Sequence, residues 1–145
     1  MQVKHILRDK GREIICIASD TSLIEAVRQL AHRKIGALIV QDKDGGLAGI
    51  ISERDLVRAI ADHGAAALGD AVANYMTRAV ATCGECDSVD TIMEAMTDGR
   101  FRHMPVLDEN DRLCGLISIG DVVKTRIAET LIEAEALRGY ISASA

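Results

Sequence analysis

An internal repeat constrains the fold of this chain more than any other feature of its sequence. The stretches 33–55 and 99–121 align without a gap at an offset of 66 residues. Apolar, turn and polar positions match together, and the aligned pairs include Gly49 with Gly115, Ile51 with Ile117, Ser52 with Ser118 and Asp55 with Asp121. Such a pattern indicates two copies of one structural unit.

Both repeats have the same order of predicted elements. In the first, Ser22 followed by Glu25 predicts a capping box and a helix whose apolar stripe runs to Leu30. Two apolar strands separated by the turn at residues 44–46 follow, and a second helix begins at Ser52. A short strand ahead of each first helix, at residues 14–17 and 79–82, completes a β-α-β-β-α unit.

The predicted fold class is therefore α/β (α+β), with residues 1–66 as the first repeat and residues 67–145 as the second. About 60 residues bury too small a fraction of their surface for comfortable stability. We therefore expect the repeats to pack about a pseudo-two-fold axis that leaves two related clefts. The stretch 124–138 predicts an amphipathic C-terminal helix with Ile127, Leu131, Ala134 and Leu137 on one face and Glu129, Glu133 and Glu135 outside.

Composition and charge exclude several classes of function. Aromatic residues make up only 2% of the chain, which argues against a platform for stacking nucleic-acid bases. The formal net charge of −5 repels a phosphate backbone, so we expect no nucleic-acid partner. The sequence has neither the apolar run of a membrane span nor that of a secretory signal. We expect no membrane partner and a cytoplasmic protein with reduced thiols.

The candidate chemistry lies in a Ser-x-x-Asp pattern that occurs at Ser52–Asp55 and again at Ser118–Asp121. By itself the pattern is a common helix capping box. A helix N-terminus with a hydroxyl is also a natural phosphate site, and a carboxylate in the first turn can accept two bonds from a ribose diol. Gly49 and Gly115 just upstream allow close approach of a ligand, or serve strand packing. The doubled occurrence favours a ligand, although capping alone remains open.

The stretches around these motifs resemble the signature of CBS domains. They are residues 49–56 (GIISERDL), 115–122 (GLISIGDV) and 102–108 (RHMPVLD), and the likeness extends from about residue 14 to about residue 127. The resemblance implies a regulatory module of two β-α-β-β-α units, which in this family usually forms a disc-shaped dimer. It also implies that AMP, ADP, ATP, S-adenosylmethionine or NADH binds in clefts between the repeats.

The resemblance also assigns roles to individual residues. It implies that the aspartates hold ribose hydroxyls, that the serines contact ribose or phosphate, and that the basic residues reach phosphates. The nucleotide-binding candidates are Ser52, Arg54, Asp55, Arg102, His103, Ser118 and Asp121. The repeats differ, because residues 36–37 are Gly-Ala where residues 102–103 are Arg-His, and Gly120 replaces Arg54. We therefore expect the two clefts to be non-equivalent.

Two other interpretations stay open. Cys83 and Cys86 form a CxxC, but a zinc site needs two further ligands and a redox motif belongs at the start of a helix. The repeat alignment instead makes Cys83 a core residue. A dimerisation scaffold with vestigial clefts is the other alternative. Since no acid, base and nucleophile converge, we expect no enzyme, no catalytic residue and no metal. The expected function is energy sensing by a homodimer that binds AMP most readily and acts on an unidentified regulated protein.

Overall fold

A computed structural model describes residues 1–144, which form five α-helices and six β-strands. In chain order these are α1 (Val3–Lys10), β1 (Cys16–Ala18), α2 (Leu23–Arg33), β2 (Ala37–Gln41), β3 (Leu47–Ser52), α3 (Glu53–His63), β4 (Cys83–Gly84), α4 (Val89–Gly99), β5 (His103–Leu107), β6 (Leu113–Ser118) and α5 (Ile119–Ser144). Two short 3-10 helices, Gly64–Gly69 and Val72–Asn74, lie between α3 and β4. The predicted α/β class and the doubled β-α-β-β-α order are confirmed. None of the described helices is both long and apolar enough to span a membrane.

Each repeat builds its own three-stranded sheet. The strand orders are β1-β2-β3 and β4-β5-β6, and in both sheets the first pair is parallel and the second antiparallel. Ala37 lies opposite Ser52 in one sheet, and His103 lies opposite Ser118 in the other. A register shift follows residue 40 in the first sheet and residue 106 in the second. The pairing of strands in the second sheet therefore repeats that of the first at the same 66-residue offset as the sequence.

Backbone conformation repeats as well, even where the side chains differ. Lys34 and Arg100 end α2 and α4 with a φ of 55° each. Gly45 and Asp111 occupy the two hairpin turns with φ values of 82° and 58°. A positive φ is uncommon outside glycine. Its recurrence at the same offset therefore shows that both repeats follow one backbone design.

The chain divides into two compact units that differ from the sequence repeats. The repeat-one unit is Glu13–Ala81, and the repeat-two unit is Met1–Arg12 together with the chain from Thr82 onward. Residues 1–12 thus pack with the second repeat, and residues 67–81 pack with the first. We call these two segments the leaders. The predicted division after residue 66 follows the repeat in sequence, whereas the compact units follow the packing of the leaders.

Each leader completes the hydrophobic core of its unit. Six leader residues are buried, namely Val3, Ile6 and Leu7 in the repeat-two unit and Ala67, Val72 and Met76 in the repeat-one unit. Full burial of a Val, Leu, Ile or Met side chain contributes about 1.5–3 kcal/mol. The leaders are therefore integral parts of the two cores. Helix α1 was not predicted, because residues 1–12 have no counterpart in the gap-free alignment.

Matching backbone hydrogen bonds fasten the two leaders. The donors and acceptors are Val3 N to Asp87 O (3.0 Å) and Val89 N to Met1 O (3.0 Å) in one unit, and Val72 N to Thr21 O (2.8 Å) and Leu23 N to Asp70 O (2.8 Å) in the other. Val3 and Val72 are therefore structural equivalents. They are 69 residues apart, not 66, which explains why the repeat alignment does not pair the leaders.

The C-terminal helix is confirmed and is longer than predicted. Helix α5 runs without a break from Ile119 to Ser144, and Ile127 and Leu131 on it are 56% and 65% exposed. The prediction that Glu129 lies outside was wrong, since its side chain is only 12% exposed. Arg126 Nη1 lies 3.4 Å from Glu129 Oε2, and Arg126 Nε lies 3.2 Å from Asp90 Oδ1 of α4.

The substitution Gly49→Ala is expected to destabilise the repeat-one unit. An added Cβ would lie 2.6 Å from Thr77 O and 2.9 Å from Met76 Sδ. The leader would have to shift, at a cost of about 1–3 kcal/mol. Urea unfolding followed by circular dichroism should give a lower midpoint. Gly69→Ala is the control, because an added Cβ there meets nothing within 4 Å. Equal midpoints for Gly49→Ala and the wild type would contradict the close packing.

Candidate functional site

The first Ser-x-x-Asp motif lies at the junction of β3 and α3. Ser52 ends the strand and caps the helix, because its Oγ accepts a hydrogen bond from Asp55 N at 3.4 Å. In return, Asp55 Oδ2 accepts from Ser52 N at 2.9 Å and from Ser52 Oγ at 3.0 Å. This is a reciprocal capping box. It holds a partly buried carboxylate in a fixed position at the end of a strand.

The second motif has the same geometry at the junction of β6 and α5. Ser118 N donates to Asp121 Oδ2 at 2.8 Å, and Asp121 N donates to Ser118 Oγ at 3.2 Å. The capping interpretation of both motifs is therefore confirmed. Each unit presents one aspartate whose backbone position and reciprocal backbone N–H capping bonds match those of the other.

The leaders make the two carboxylates chemically different. In the repeat-one unit, Thr77 Oγ1 donates to Asp55 Oδ1 at 3.4 Å. In the repeat-two unit, Lys10 Nζ donates to Asp121 Oδ2 at 2.6 Å and to Leu116 O at 2.8 Å. One carboxylate meets a neutral hydroxyl and the other an ammonium group. Thr77 and Lys10 were not predicted, because the 66-residue offset does not pair them.

The contact with Lys10 changes the pKa of Asp121. Burial of the carboxylate is the largest single influence and raises the pKa. The hydrogen bonds from Lys10 and Ser118, together with the Lys10 charge, outweigh burial, so the pKa lies below the ordinary value of 3.8. Asp121 is consequently ionised at neutral pH and acts only as an acceptor.

The Lys10–Asp121 ion pair is close but weak. The two side chains are 37% and 24% exposed, so water and salt screen the attraction. Pairs of this kind contribute at most about 1 kcal/mol to stability. The main consequence of the pair is therefore chemical, in that it occupies a carboxylate oxygen, and a competing ligand can displace it at small cost.

The two motif glycines serve packing. An added Cβ on Gly115 would lie 2.6 Å from Leu7 Cδ2, and one on Gly49 would meet Met76 and Thr77. The protein's own leaders therefore occupy the space above these glycines. Of the two roles considered from sequence, close packing is confirmed, and close approach of a ligand at these positions stays a prediction.

Arg102 and His103 lie beside the second motif. Ile119 N donates to Arg102 O at 2.8 Å, and His103 is paired with Ser118 across the sheet. Arg102 is exposed and His103 is partly buried. The repeat-two unit thus brings the predicted basic pair to the end of the sheet that carries Ser118 and Asp121.

Two backbone N–H groups in the first turn of α3 already have partners within the repeat-one unit. Glu53 N donates to Gly36 O at 3.1 Å, and Asp55 N donates to the capping Ser52. Arg54, the remaining candidate in this turn, is exposed. A phosphate in the repeat-one unit would therefore depend on side chains more than on the helix N-terminus.

The CxxC does not form a reactive pair. Cys83 is buried in the core of the repeat-two unit and donates from Sγ to Pro105 O at 3.8 Å. Burial, together with the charges of Asp87 and Cys114, raises the pKa of its thiol to about 12, which disfavours the thiolate. Cys86 is exposed. Within the described residues, no group of three or more His, Cys, Asp or Glu is placed to hold a metal ion.

Comparison with known proteins matches this doubled architecture to one family. The family model for the CBS domain matches residues 3–62 and 72–128. The chain belongs to the CBS domain family. The CBS domain-containing protein CBSX3, mitochondrial, of Arabidopsis thaliana is 32% identical over 148 residues, which cover 96% of this chain and 71% of CBSX3.

Solved CBS structures share the fold. The CBS-domain containing protein ATU1752 from Agrobacterium tumefaciens is 50% identical with a TM-score of 0.83, over 86% of this CBS chain and 92% of its own. The CBS domain pair of protein MJ0100 is 28% identical with a TM-score of 0.78, over 89% and 98% of the two chains. The MJ0100 structure is a complex with 5′-methylthioadenosine and S-adenosyl-L-methionine.

The substitution Lys10→Met is expected to raise the pKa of Asp121, because it removes a hydrogen bond and a positive charge from the carboxylate. A ¹³C NMR titration of the carboxyl groups measures this change. Because the folded pKa lies below the unfolded value, the stability from the pair is complete above about pH 4 and is lost as the pH falls through the folded pKa. Lys4→Met on the same helix is the control and should leave the titration unchanged. An Asp121 titration that is the same in Lys10→Met as in the wild type would contradict the contact.

Proposed function

We propose that this CBS chain is a non-catalytic sensor that binds an adenosine-containing ligand, with AMP as the first candidate and ADP, ATP or NADH as others. The observation that carries the proposal is the doubled capping box. Asp55 and Asp121 are two carboxylates held at strand ends by the same bonds. The ribose of adenosine presents adjacent hydroxyls, and a fixed carboxylate is a suitable acceptor for such a pair.

The capping bonds leave acceptor capacity for a diol. In both motifs the serine N–H donates to Oδ2, and an ionised carboxylate has more lone pairs on its two oxygens than these bonds use. A hydrogen bond to a charged group contributes about 1.5–3 kcal/mol. Two hydroxyls on one such carboxylate would therefore supply a substantial part of micromolar affinity.

The relatives support adenosine as the shared part of the ligand. The two molecules bound to the MJ0100 domain pair have an adenosine group in common and differ in the substituent at the 5′ carbon. For this chain we propose that Asp55 or Asp121 holds the ribose, with Ser52 or Ser118 beside it. Arg54, Arg102 and His103 are the proposed contacts for the phosphate of AMP.

We propose further that the sensor acts as a homodimer on an unidentified regulated protein. Helix α5 supports a contact with another chain, because apolar side chains along it face solvent in the described chain. They are Ile127, Leu131, Leu137 and Ile141, each at least 56% exposed. Contiguous apolar surface of this kind marks interaction sites.

Calorimetric titration of nucleotide-stripped protein with AMP and with 5′-methylthioadenosine tests the sensor function. We expect micromolar binding of at least one of them, weakened at least about tenfold in the double variant Asp55→Ala, Asp121→Ala, because both diol acceptors are gone. The matched control is Asp62→Ala, Asp98→Ala, which removes two exposed aspartates near the ends of α3 and α4. It should bind as the wild type does.

Two results would count against the sensor. If the wild type bound neither ligand, the chain would be better described as a dimerisation scaffold. If the double variant bound as tightly as the wild type, the ribose would lie away from both motifs. Circular dichroism of each variant establishes that the protein is folded. The pair Asp55→Asn, Asp121→Asn keeps an acceptor for the capping bonds if the alanine variant is unstable.

A further inference from the structure

The two motif carboxylates are not equally available to a diol. Asp121 Oδ2 already accepts from the ammonium group of Lys10 at 2.6 Å, in addition to its capping bond. The outer partner of Asp55 is the neutral hydroxyl of Thr77, and it is distant at 3.4 Å. The backbones of the two motifs match, and the charged contact that distinguishes the carboxylates comes from a leader. Ser52 Oγ also donates to Asp55 Oδ2 at 3.0 Å, but this contact is neutral.

We propose that Lys10 is a specificity-determining residue that keeps the Asp121 carboxylate closed, so that an adenosine ligand fills the Asp55 site first. The inference rests on the proposed function, since it concerns the order in which the same two sites are used. It adds a residue outside the Ser-x-x-Asp motifs and assigns different affinities to two sites with the same capping geometry.

Competition for lone pairs is the physical basis of the difference. A ribose diol at Asp121 must share the carboxylate with Lys10 or expel it, and Lys10 then also loses its bond to Leu116 O. At Asp55 the ligand meets a hydroxyl that can rotate and can accept as well as donate. Among the ion pairs of the described residues, none involves Asp55, so binding there competes with neutral contacts.

Lys10 is held in place on both sides. Three residues earlier, Leu7 packs above Gly115 in the core of the repeat-two unit. Two residues later, Arg12 forms an ion pair with Glu85. The contact with Asp121 therefore belongs to the docked leader and is not made by an unrestrained surface lysine.

Single-site variants test the proposal by calorimetric titration with AMP and with 5′-methylthioadenosine. Asp55→Ala leaves only the Asp121 site, and Asp121→Ala leaves only the Asp55 site. We expect the Asp121→Ala protein to bind more tightly than the Asp55→Ala protein. Adding Lys10→Met to Asp55→Ala should raise its affinity about three- to fivefold for both ligands, because the screened ion pair no longer competes.

The controls separate the proposal from a general effect of charge. Lys10→Met added to Asp121→Ala should leave affinity unchanged, and so should Lys4→Met added to Asp55→Ala. Unchanged binding on adding Lys10→Met to Asp55→Ala would overturn the inference and leave the sensor function standing. Weaker binding of AMP alone would also overturn it, because Lys10 would then be a phosphate contact. Failure of the wild type to bind either ligand would overturn the sensor function and this inference together.

Discussion

The docking of a leader onto each strand-to-helix junction is the packing contact on which the other features depend. Leu7 lies above Gly115 in one unit, and Met76 lies above Gly49 in the other. This contact contributes to the hydrophobic core of each unit. It also delivers a polar side chain, Lys10 or Thr77, to the carboxylate of the adjacent motif. Stability and the chemistry of the candidate site thus come from the same contact.

The repeated backbone and the non-repeated side chains have separate roles. Strand register, residues with a positive φ and capping boxes recur at one offset. Together they fix two carboxylates in matching positions. The surroundings differ, because one carboxylate belongs to a screened ion pair and the other contacts a hydroxyl. A weak ion pair suits the role proposed for Lys10 in setting the order in which the two sites fill. In the proposed order of binding, the pair would bias the choice between the sites, and a ligand could still displace it.

The repeat made most of the fold predictable. Strands 37–41 and 103–107, the hairpins and both capping serines follow from apolar patterning and turn residues, and the structure places them within a few residues of expectation. Helix α1 and the contacts of Lys10 could not be predicted in this way. Equivalent positions in the two leaders are 69 residues apart. Each leader also lies in one predicted repeat and packs with the other, so the gap-free alignment does not relate them. A Val-x-x-x-Leu and a Val-x-x-x-Met pattern, at residues 3–7 and 72–76, are a trace of this equivalence in the sequence.

The proposed function requires that a capped aspartate holds a ribose diol. Changing the diol and leaving the protein intact tests this requirement. Calorimetric titration of the wild type compares AMP with 2′-deoxy-AMP and 3′-deoxy-AMP. Each lost hydroxyl removes a hydrogen bond to a charged carboxylate, so we expect each deoxy ligand to bind about tenfold or more weakly than AMP. Equal affinity for all three would contradict the claim, because no carboxylate could then be holding the diol.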